Sequence, residues 1–502
     1  MVKEAQVLAG ITRAVSEATA EYAAANRKHG RKTRGQFFTG RKTAEFMAGL
    51  FTIPADKDSI SVLDPGAGTG ILSSALAERL DAAGNIKNVK LVCYENDESM
   101  TELLMANLEL LKRNLTLRLD YEIRTDDYIL SQGYEYGFGR TGHEEFDMVV
   151  GNPPYRKISG SSPEAKVMPD ICGGTPNLYF MFAAMSMFNL KQGGELVYII
   201  PRSWTSGAYF GKFREKLFSE GVLKHIHLFR ARRNIFDGDD ILQETVIIRL
   251  AKTHEKPRKV TVTTSLDGSF AGMTSFQASY SSVVSGRDNY VFLAADENEA
   301  DILERFAAMN RTLVTEGMRM RTGLTVDFRC SELLRDEAGK NTVPLFRSCH
   351  IRGGDIVFPL GKENEYIIST RRGLLQENRN YLFVKRFTSK EESRRLQCGV
   401  YLAGRFPDYL SISTDNKINF IDSESGVSLT EKTVYGLFVL FNSSMYDRYY
   451  RILDGSTQVN SMEINSVPVP GMDIIDAMGE RLMISGKMTV EACDGILGGF
   501  LR

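Results

Sequence analysis

The chain has 502 residues, 43% of them hydrophobic and 25% charged, with a formal net charge of −1. That length suits two or three domains, and the composition is that of an ordinary globular protein, excluding disordered, collagen-like and small disulfide-rich classes. Near-neutral charge does not announce a nucleic-acid binder, although a local basic face can coexist with an acidic remainder.

The first segment, Ala5 to Asn26, is alanine-rich with Arg13, Glu17 and Glu21 on one side, which predicts an amphipathic helix within residues 1–30. It does not have the form of a signal peptide, and no apolar run approaches the roughly 20 residues of a membrane span, so a cytoplasmic location without membrane contact is expected. The six cysteines are widely separated without a Cys-x-x-Cys pair, so neither a metal site nor a disulfide framework is expected.

From Ser59 onward, short apolar strands alternate with helical stretches, the rhythm of an α/β domain with a largely parallel sheet. Strands are expected at residues 61–64, 91–95, 119–123, 146–150, 195–200, 225–229 and 245–250, the last two pairing antiparallel at one end of the sheet. Two loops interrupt the pattern, Gly133 to Glu145 and Ser159 to Pro176, both candidates for movable elements. A polar run from Lys252 to Lys259 ends the alternation. The catalytic domain is therefore expected at 31–254, and a second domain of irregular α+β type at 255–502.

The first strand runs into Asp64-Pro65-Gly66-Ala67-Gly68-Thr69-Gly70. Ligands of open α/β sheets bind at the carboxyl ends of the strands, where glycines let the backbone approach them. No Gly-Lys-Ser/Thr follows, and the spacing differs from Gly-x-Gly-x-x-Gly, which excludes a Walker loop and disfavours a dinucleotide site. S-adenosylmethionine, lacking a pyrophosphate, fits better. Asp64 is placed to accept from its amino group, Glu95 to bind the ribose hydroxyls, and Asp127 with Tyr128 to hold the adenine. Asp126 is the alternative to Asp127.

The fourth strand delivers Asn152-Pro153-Pro154-Tyr155. Two prolines remove two N–H donors and extend the backbone, so the turn presents two acceptors, the Asn152 side-chain oxygen and the Pro153 carbonyl. A planar –NH2 offers two donors to match, and Tyr155 offers a flat face. If the amine belongs to a base in duplex DNA, the base must be flipped out, with Phe236 as candidate second wall. Trp204 is read either as a site-lining or as a core residue.

These residues together resemble the N6-adenine DNA methyltransferases of type II restriction–modification systems, in the subgroup with the cofactor motif first and target recognition C-terminal. The resemblance covers essentially the whole chain. It implies a class I S-adenosylmethionine-dependent (Rossmann-like) domain followed by a C-terminal α+β target-recognition domain. Gln36-Phe37-Phe38-Thr39 is similar to the family segment that closes over the methionine part of the cofactor. Asp64 to Gly70, Glu95 and Asp127 match the cofactor motifs, Asn152 to Tyr155 the catalytic motif, and Phe236 the base-stacking position. Segments 321–323, 343–345, 384–390 and 455–460 resemble the recognition domains of PstI/BsuBI-like enzymes.

Lys385, Arg386, Phe387, Lys390, Arg394 and Arg395 form a basic-aromatic cluster suited to phosphate contacts, and Arg319 and Arg321, beside a flexible Gly323, are expected to reach base edges. Double-stranded DNA is the expected partner, with a separate endonuclease compatible and a monomeric enzyme expected. A glutamine-amide methyltransferase shares the Asn-Pro-Pro-Tyr turn but needs no large basic-aromatic second domain. An RNA adenine methyltransferase and a non-catalytic DNA-binding subunit are the remaining rivals.

Overall fold

The computed structural model describes residues 10–25, 37–138, 143–231, 244–286, 288–388, 392–453 and 458–501. Two compact units emerge, 1–297 and 298–502.

In the first unit, helix α1 (Ile11–Ala25) lies within the expected helical segment and is followed by α2 (Arg41–Gly49). Then come β1 (Ser59–Pro65), α3 (Ile71–Ala83), β2 (Asn88–Tyr94), α4 (Glu98–Asn114), β3 (Arg118–Arg124), β4 (Phe146–Gly151), α5 (Leu178–Phe188), β5 (Leu190–Pro201), α6 (Gly211–Glu220), β6 (Val222–Phe229) and β7 (Thr245–Ala251). Helix α4 shows how local signals set an element. Asp97 caps it by accepting from Ser99 N, Lys112 and Arg113 sit in its last turn, and Met100, Leu104, Leu108 and Leu111 bury one stripe. Helix α5 carries no such stripe; Leu178 to Met187 are all buried, as befits a helix enclosed in the core.

The strands form one nine-stranded sheet in the order β3-β2-β1-β4-β5-β7-β6-β8-β9, where β8 is Lys259–Ser265 and β9 is Thr274–Ser279. Strands β1 to β5 are parallel to one another, whereas β7 runs antiparallel between β5 and β6. The register pairs Leu63 with Val92 on one side and Val149 on the other, so the carboxyl ends of β1, β2 and β4 lie side by side. That juxtaposition brings three separate loops to one point.

The antiparallel pairing of β6 and β7 agrees with the sequence reading, but two expectations are corrected. The pair does not end the sheet, since β6 also pairs with β8 in parallel. The expected boundary at 254/255 falls inside the unit, which continues to Glu297. Buried side chains bind the extra strands: Thr263 Oγ1 on β8 lies 2.8 Å from both His225 Nε2 and His227 Nδ1 on β6. The two interrupting loops contain short helices, Gly133–Phe138 and Pro163–Val167.

The second unit is α+β, as expected. One sheet contains β10 (Met318–Thr322), β12 (Tyr381–Lys385), β13 (Cys398–Tyr401) and β15 (Ile418–Ser423); the other contains β11 (Thr342–Phe346) and β14 (Ser411–Thr414). Phe346, Tyr381, Phe383, Tyr401 and Phe420 are fully or almost fully buried in one aromatic core cluster. No helix among the described residues is long and apolar enough to cross a membrane.

Candidate active site

A cavity of about 330 Å³ opens at the carboxyl ends of β1 to β4, within the usual range of roughly 300–1,000 Å³ for small-ligand pockets. Pro65, Gly66 and Gly68 line it from the loop after β1, and Glu95, Asp126, Asp127 and Tyr128 from the ends of β2 and β3. Asn152 and Pro154 face it from the turn after β4, and Phe38 from the N-terminal segment. Thus ten residues expected from sequence converge on one cavity.

The loop owes its shape to Gly66, Gly68 and Gly70, with φ of +140°, +55° and +83°, values that disfavour a Cβ. Gly70 then caps α3. Two contacts brace the loop from outside: Asn107 donates to Thr69 O at 2.8 Å, and Thr19 on α1 meets the Thr69 hydroxyl at 2.7 Å. Backbone N–H groups of Ile11 and Thr12 donate to Glu78 on α3 at 2.6 and 3.0 Å, which anchors that helix.

Glu95 uses one carboxylate oxygen to accept from Gly68 N at 2.9 Å and the other from Asp97 N at 2.8 Å. Fixed this way, it keeps its remaining lone pairs for a ligand, while burial raises its pKa. Asp127 accepts from Ile129 N and Leu130 N with Oδ1 alone, at 3.0 and 2.9 Å, so its orientation is set as well. Asp126 is exposed on the same wall. Tyr128 is buried, with its hydroxyl donating to Asn189 at 2.8 Å and its ring 5.0 Å from that of Tyr94.

Asp64 differs from its expected placement. It lies beneath the loop, fully buried and off the cavity wall; Oδ2 accepts from the Ser73 hydroxyl at 2.7 Å and Oδ1 has no hydrogen-bond partner. Burial, together with the neighbouring Glu95 charge, pushes its carboxyl up to about 7.

Asn152 is held from the N-terminal side. Its Nδ2 donates to Phe37 O at 2.9 Å and to Thr39 Oγ1 at 3.1 Å. A carbonyl can only accept, so the amide must present nitrogen there and carry Oδ1 on its other side. Thr39, itself buried, therefore touches Asn152 rather than the cavity.

Tyr155 is also placed differently. Its hydroxyl donates to Ile199 O at 2.9 Å, its ring is buried between Phe37 (centroids 5.6 Å apart, tilted) and Tyr179 (6.3 Å), and it does not line the cavity. Pro153 is likewise buried off the wall. Trp204 is a core residue, fully buried against Phe213. Phe236 lies outside the described residues, as do Gln36 and Lys390.

Sequence reasoning missed Tyr94, Asn96, Met100, Arg156, Leu178 and Phe182 as lining residues. Tyr94 and Asn96 flank Glu95, and Leu178 and Phe182 are one helical turn apart on α5, a spacing indistinguishable from core patterning in the sequence.

Among the expected DNA-contacting residues of the second unit, Arg321 is exposed at the end of β10. Arg319 pairs with Glu424, Lys385 donates to Gln397 at 2.9 Å, and Arg386 donates to Asn416 O at 3.0 Å and Gln458 at 3.2 Å. Arg395 cannot make the expected phosphate contact: it is 1% exposed, packed against the Tyr450 ring. Arg394 is tied to Ser443 O.

A family model described as the Eco57I restriction-modification methylase matches residues 80–236. The chain is 35% identical over 457 residues to the type II methyltransferase M.BsuBI of Bacillus subtilis, covering 89% of each chain. It is 30% identical over 466 residues to M.PstI of Providencia stuartii, covering 90% of each. The chain belongs to this type II methyltransferase family. Among solved structures, a putative class I S-adenosylmethionine-dependent methyltransferase from Listeria monocytogenes is similar at 18% identity and a TM-score of 0.41, covering 51% of this chain and 74% of that one. The residues matched by the family model, 80–236, lie wholly within the first unit and include the cavity-lining ends of β2, β3 and β4.

Proposed function

We propose that this type II methyltransferase transfers a methyl group from S-adenosylmethionine to N6 of adenine at a specific sequence in double-stranded DNA. The observation that carries this reading is the fixed Asn152 amide beside a cavity whose far wall holds Glu95 and Asp127.

The residues present fit the cofactor. Asp64 Oδ1 is a buried acceptor without a partner, but it lies beneath the loop and off the cavity wall, so a ligand's ammonium group reaches it only when the loop shifts. Glu95 is oriented for a ribose diol, and Asp127, with one oxygen anchored and the other uncommitted in its turn, for an adenine amine. Pro65, Gly66, Gly68, Phe38 and Tyr128 supply the close walls. When bound, the cofactor supplies an electrophilic methyl group on a sulfonium.

The protein's part is orientation. Asn152 Oδ1 and the Pro153 carbonyl accept the two N6 hydrogens, drawing the nitrogen toward tetrahedral geometry so that its lone pair faces the methyl carbon. The proton leaves after transfer, so no strong base is required. An adenine reaches this turn only when extruded from the duplex, and stacking on Tyr155 needs the Phe37 ring to swing aside. Phe236, the proposed second wall, lies outside the described residues.

Glutamine-amide transfer would use the same turn, and RNA adenine the same pocket. The α+β second unit, with Arg321, Lys385 and Arg386 on its surface, favours DNA. Expression in a host lacking N6-adenine methylation, followed by genome-wide mapping of N6-methyladenine, tests the reading. One modified motif is the expected result; methylated protein or RNA with unmodified DNA would overturn it. On this reading the chain works as a monomer, and a separate endonuclease is a compatible partner.

A further inference from the structure

Phe328 is 80% exposed and Phe387 47% exposed; one exposed apolar side chain is ordinary, whereas exposed aromatics grouped with cations on a fixed backbone mark a contact surface. Both backbones are fixed. Thr325 N donates to Thr414 O at 2.9 Å, Asn416 N returns to Thr325 O at 2.8 Å, and the two hydroxyls of Thr325 and Ser413 meet at 2.7 Å. Gly323 is not the flexible joint expected from sequence: a Cβ there would sit 1.9 Å from Asp415 O, so it is a site of close backbone approach. Asp327, next to Phe328, is clamped by Arg347 through two bonds of 2.8 and 3.3 Å.

The two aromatics stand on segments hydrogen-bonded to the same turn. Arg386 N donates to Lys417 O at 2.9 Å and its guanidinium to Asn416 O, which joins the Phe387 segment to the turn that pairs with Thr325. Each phenylalanine carries an arginine over its ring, Arg329 at 5.5 Å from Phe328 and Arg386 at 5.4 Å from Phe387. Lys417 is exposed on the turn, Asp327 is paired with Arg347, and Asp415 is buried. Cations interleaved with exposed rings and few available acids suit a polyanion with planar bases better than a protein face.

We propose that segment 323–329, turn 415–417 and Arg386–Phe387 form a single duplex-DNA contact surface, with Phe328 and Phe387 pressed on base edges and Arg329 and Lys417 contacting guanine edges or phosphates. This rests on the DNA reading above; it keeps Arg386 and Phe387 from the expected cluster, drops Arg394 and Arg395, and adds Phe328, Arg329 and Lys417, which sequence did not single out.

The test measures binding of the full chain to a duplex carrying the motif that the wild type methylates, and to a scrambled duplex. Phe328→Ser is expected to weaken cognate binding about tenfold and to narrow the cognate-to-scrambled ratio, while Phe328→Trp retains both. Arg329→Gln is expected to weaken binding and make the log–log salt slope less steep by about one if it contacts phosphate, or to relax specificity if it contacts guanine. Leu410, 94% exposed at the opposite end of β14, serves as control: Leu410→Ser should bind as the wild type does. Cofactor affinity and melting temperature should stay unchanged throughout. Unaltered DNA binding by Phe328→Ser and Phe387→Ser, with the wild type still methylating DNA, overturns the surface alone. A wild type that neither binds nor methylates DNA overturns the functional reading.

Discussion

Thr39 Oγ1 accepts from Asn152 Nδ2 at 3.1 Å across 113 residues of sequence. The N-terminal segment thereby decides which way the Asn152 amide points, with the Phe37 carbonyl accepting from the same nitrogen. Removing one such acceptor costs about 1 kcal/mol of orientation. Thr39→Val should lower the methyl-transfer rate constant roughly fivefold to tenfold with little change in cofactor affinity, read by single-turnover assay beside calorimetry. Asn152→Ala should abolish transfer while the cofactor still binds. Asn152→Asp should be almost as damaging despite its shape, because a carboxylate would face the Phe37 carbonyl; near-wild-type transfer by either variant would sink the assignment.

Glu95 accepts backbone hydrogens with both carboxylate oxygens. Glu95→Gln must turn an NH2 group toward Gly68 N or Asp97 N, two donors in opposition. Cofactor affinity should fall about tenfold or more, measured by calorimetry with S-adenosylmethionine, while the DNA affinity of the second unit is retained.

Asp64, raised from 3.8 to about 7, makes a pH prediction with a definite sign. Between these values the folded chain holds a proton that the unfolded chain has released. Its contribution is therefore full below about pH 4 and is lost as pH rises through 7. The ligand-free protein should lose stability from about pH 4 to pH 7 and level off above, and Asp64→Asn should flatten that slope and weaken cofactor binding. Melting temperatures across this range decide it; an unchanged slope in the variant would remove Asp64 as the source.

The glycine loop separates two kinds of damage. At Gly70 a Cβ would stand 2.8 Å from Leu104 Cδ1 at a φ of +83°, so Gly70→Ala should cost on the order of 1–3 kcal/mol of stability. At Gly68 a Cβ meets no atom within 4 Å but projects at the cavity wall. Gly68→Ala should cost about 1 kcal/mol for its φ yet reduce cofactor affinity more severely. Thermal melts and calorimetry on the two variants would distinguish these outcomes.

Much of the catalytic half was legible because its signals are local. Parallel strands buried on both faces read as apolar runs, and the loop and the proline turn follow them directly. What escaped depends on which side of the backbone a residue faces once packed. Tyr155 is drawn under the surface by the Ile199 carbonyl, Asp64 by Ser73, and Arg395 by Tyr450. Ile199 and Tyr450 lie 44 and 55 residues away from their partners, and Ser73, nine residues on, faces Asp64 only once the helix has formed. Strand β8, Lys-Val-Thr-Val-Thr-Thr-Ser, went to the second domain for another reason: the polar run before it ended the alternation, and its hydroxyl-bearing face, buried against histidines, carries no apolar signal.

That buried threonine face dictates where the chain can be divided. A fragment ending at residue 254 would strip Thr263 from two enclosed imidazoles and bare the hydrogen-bonding edge of β6 along five residues, a template for self-association. A fragment carried on to Glu297 keeps that edge covered. Grafting the second unit between relatives should therefore succeed only with the seam placed after the ninth strand.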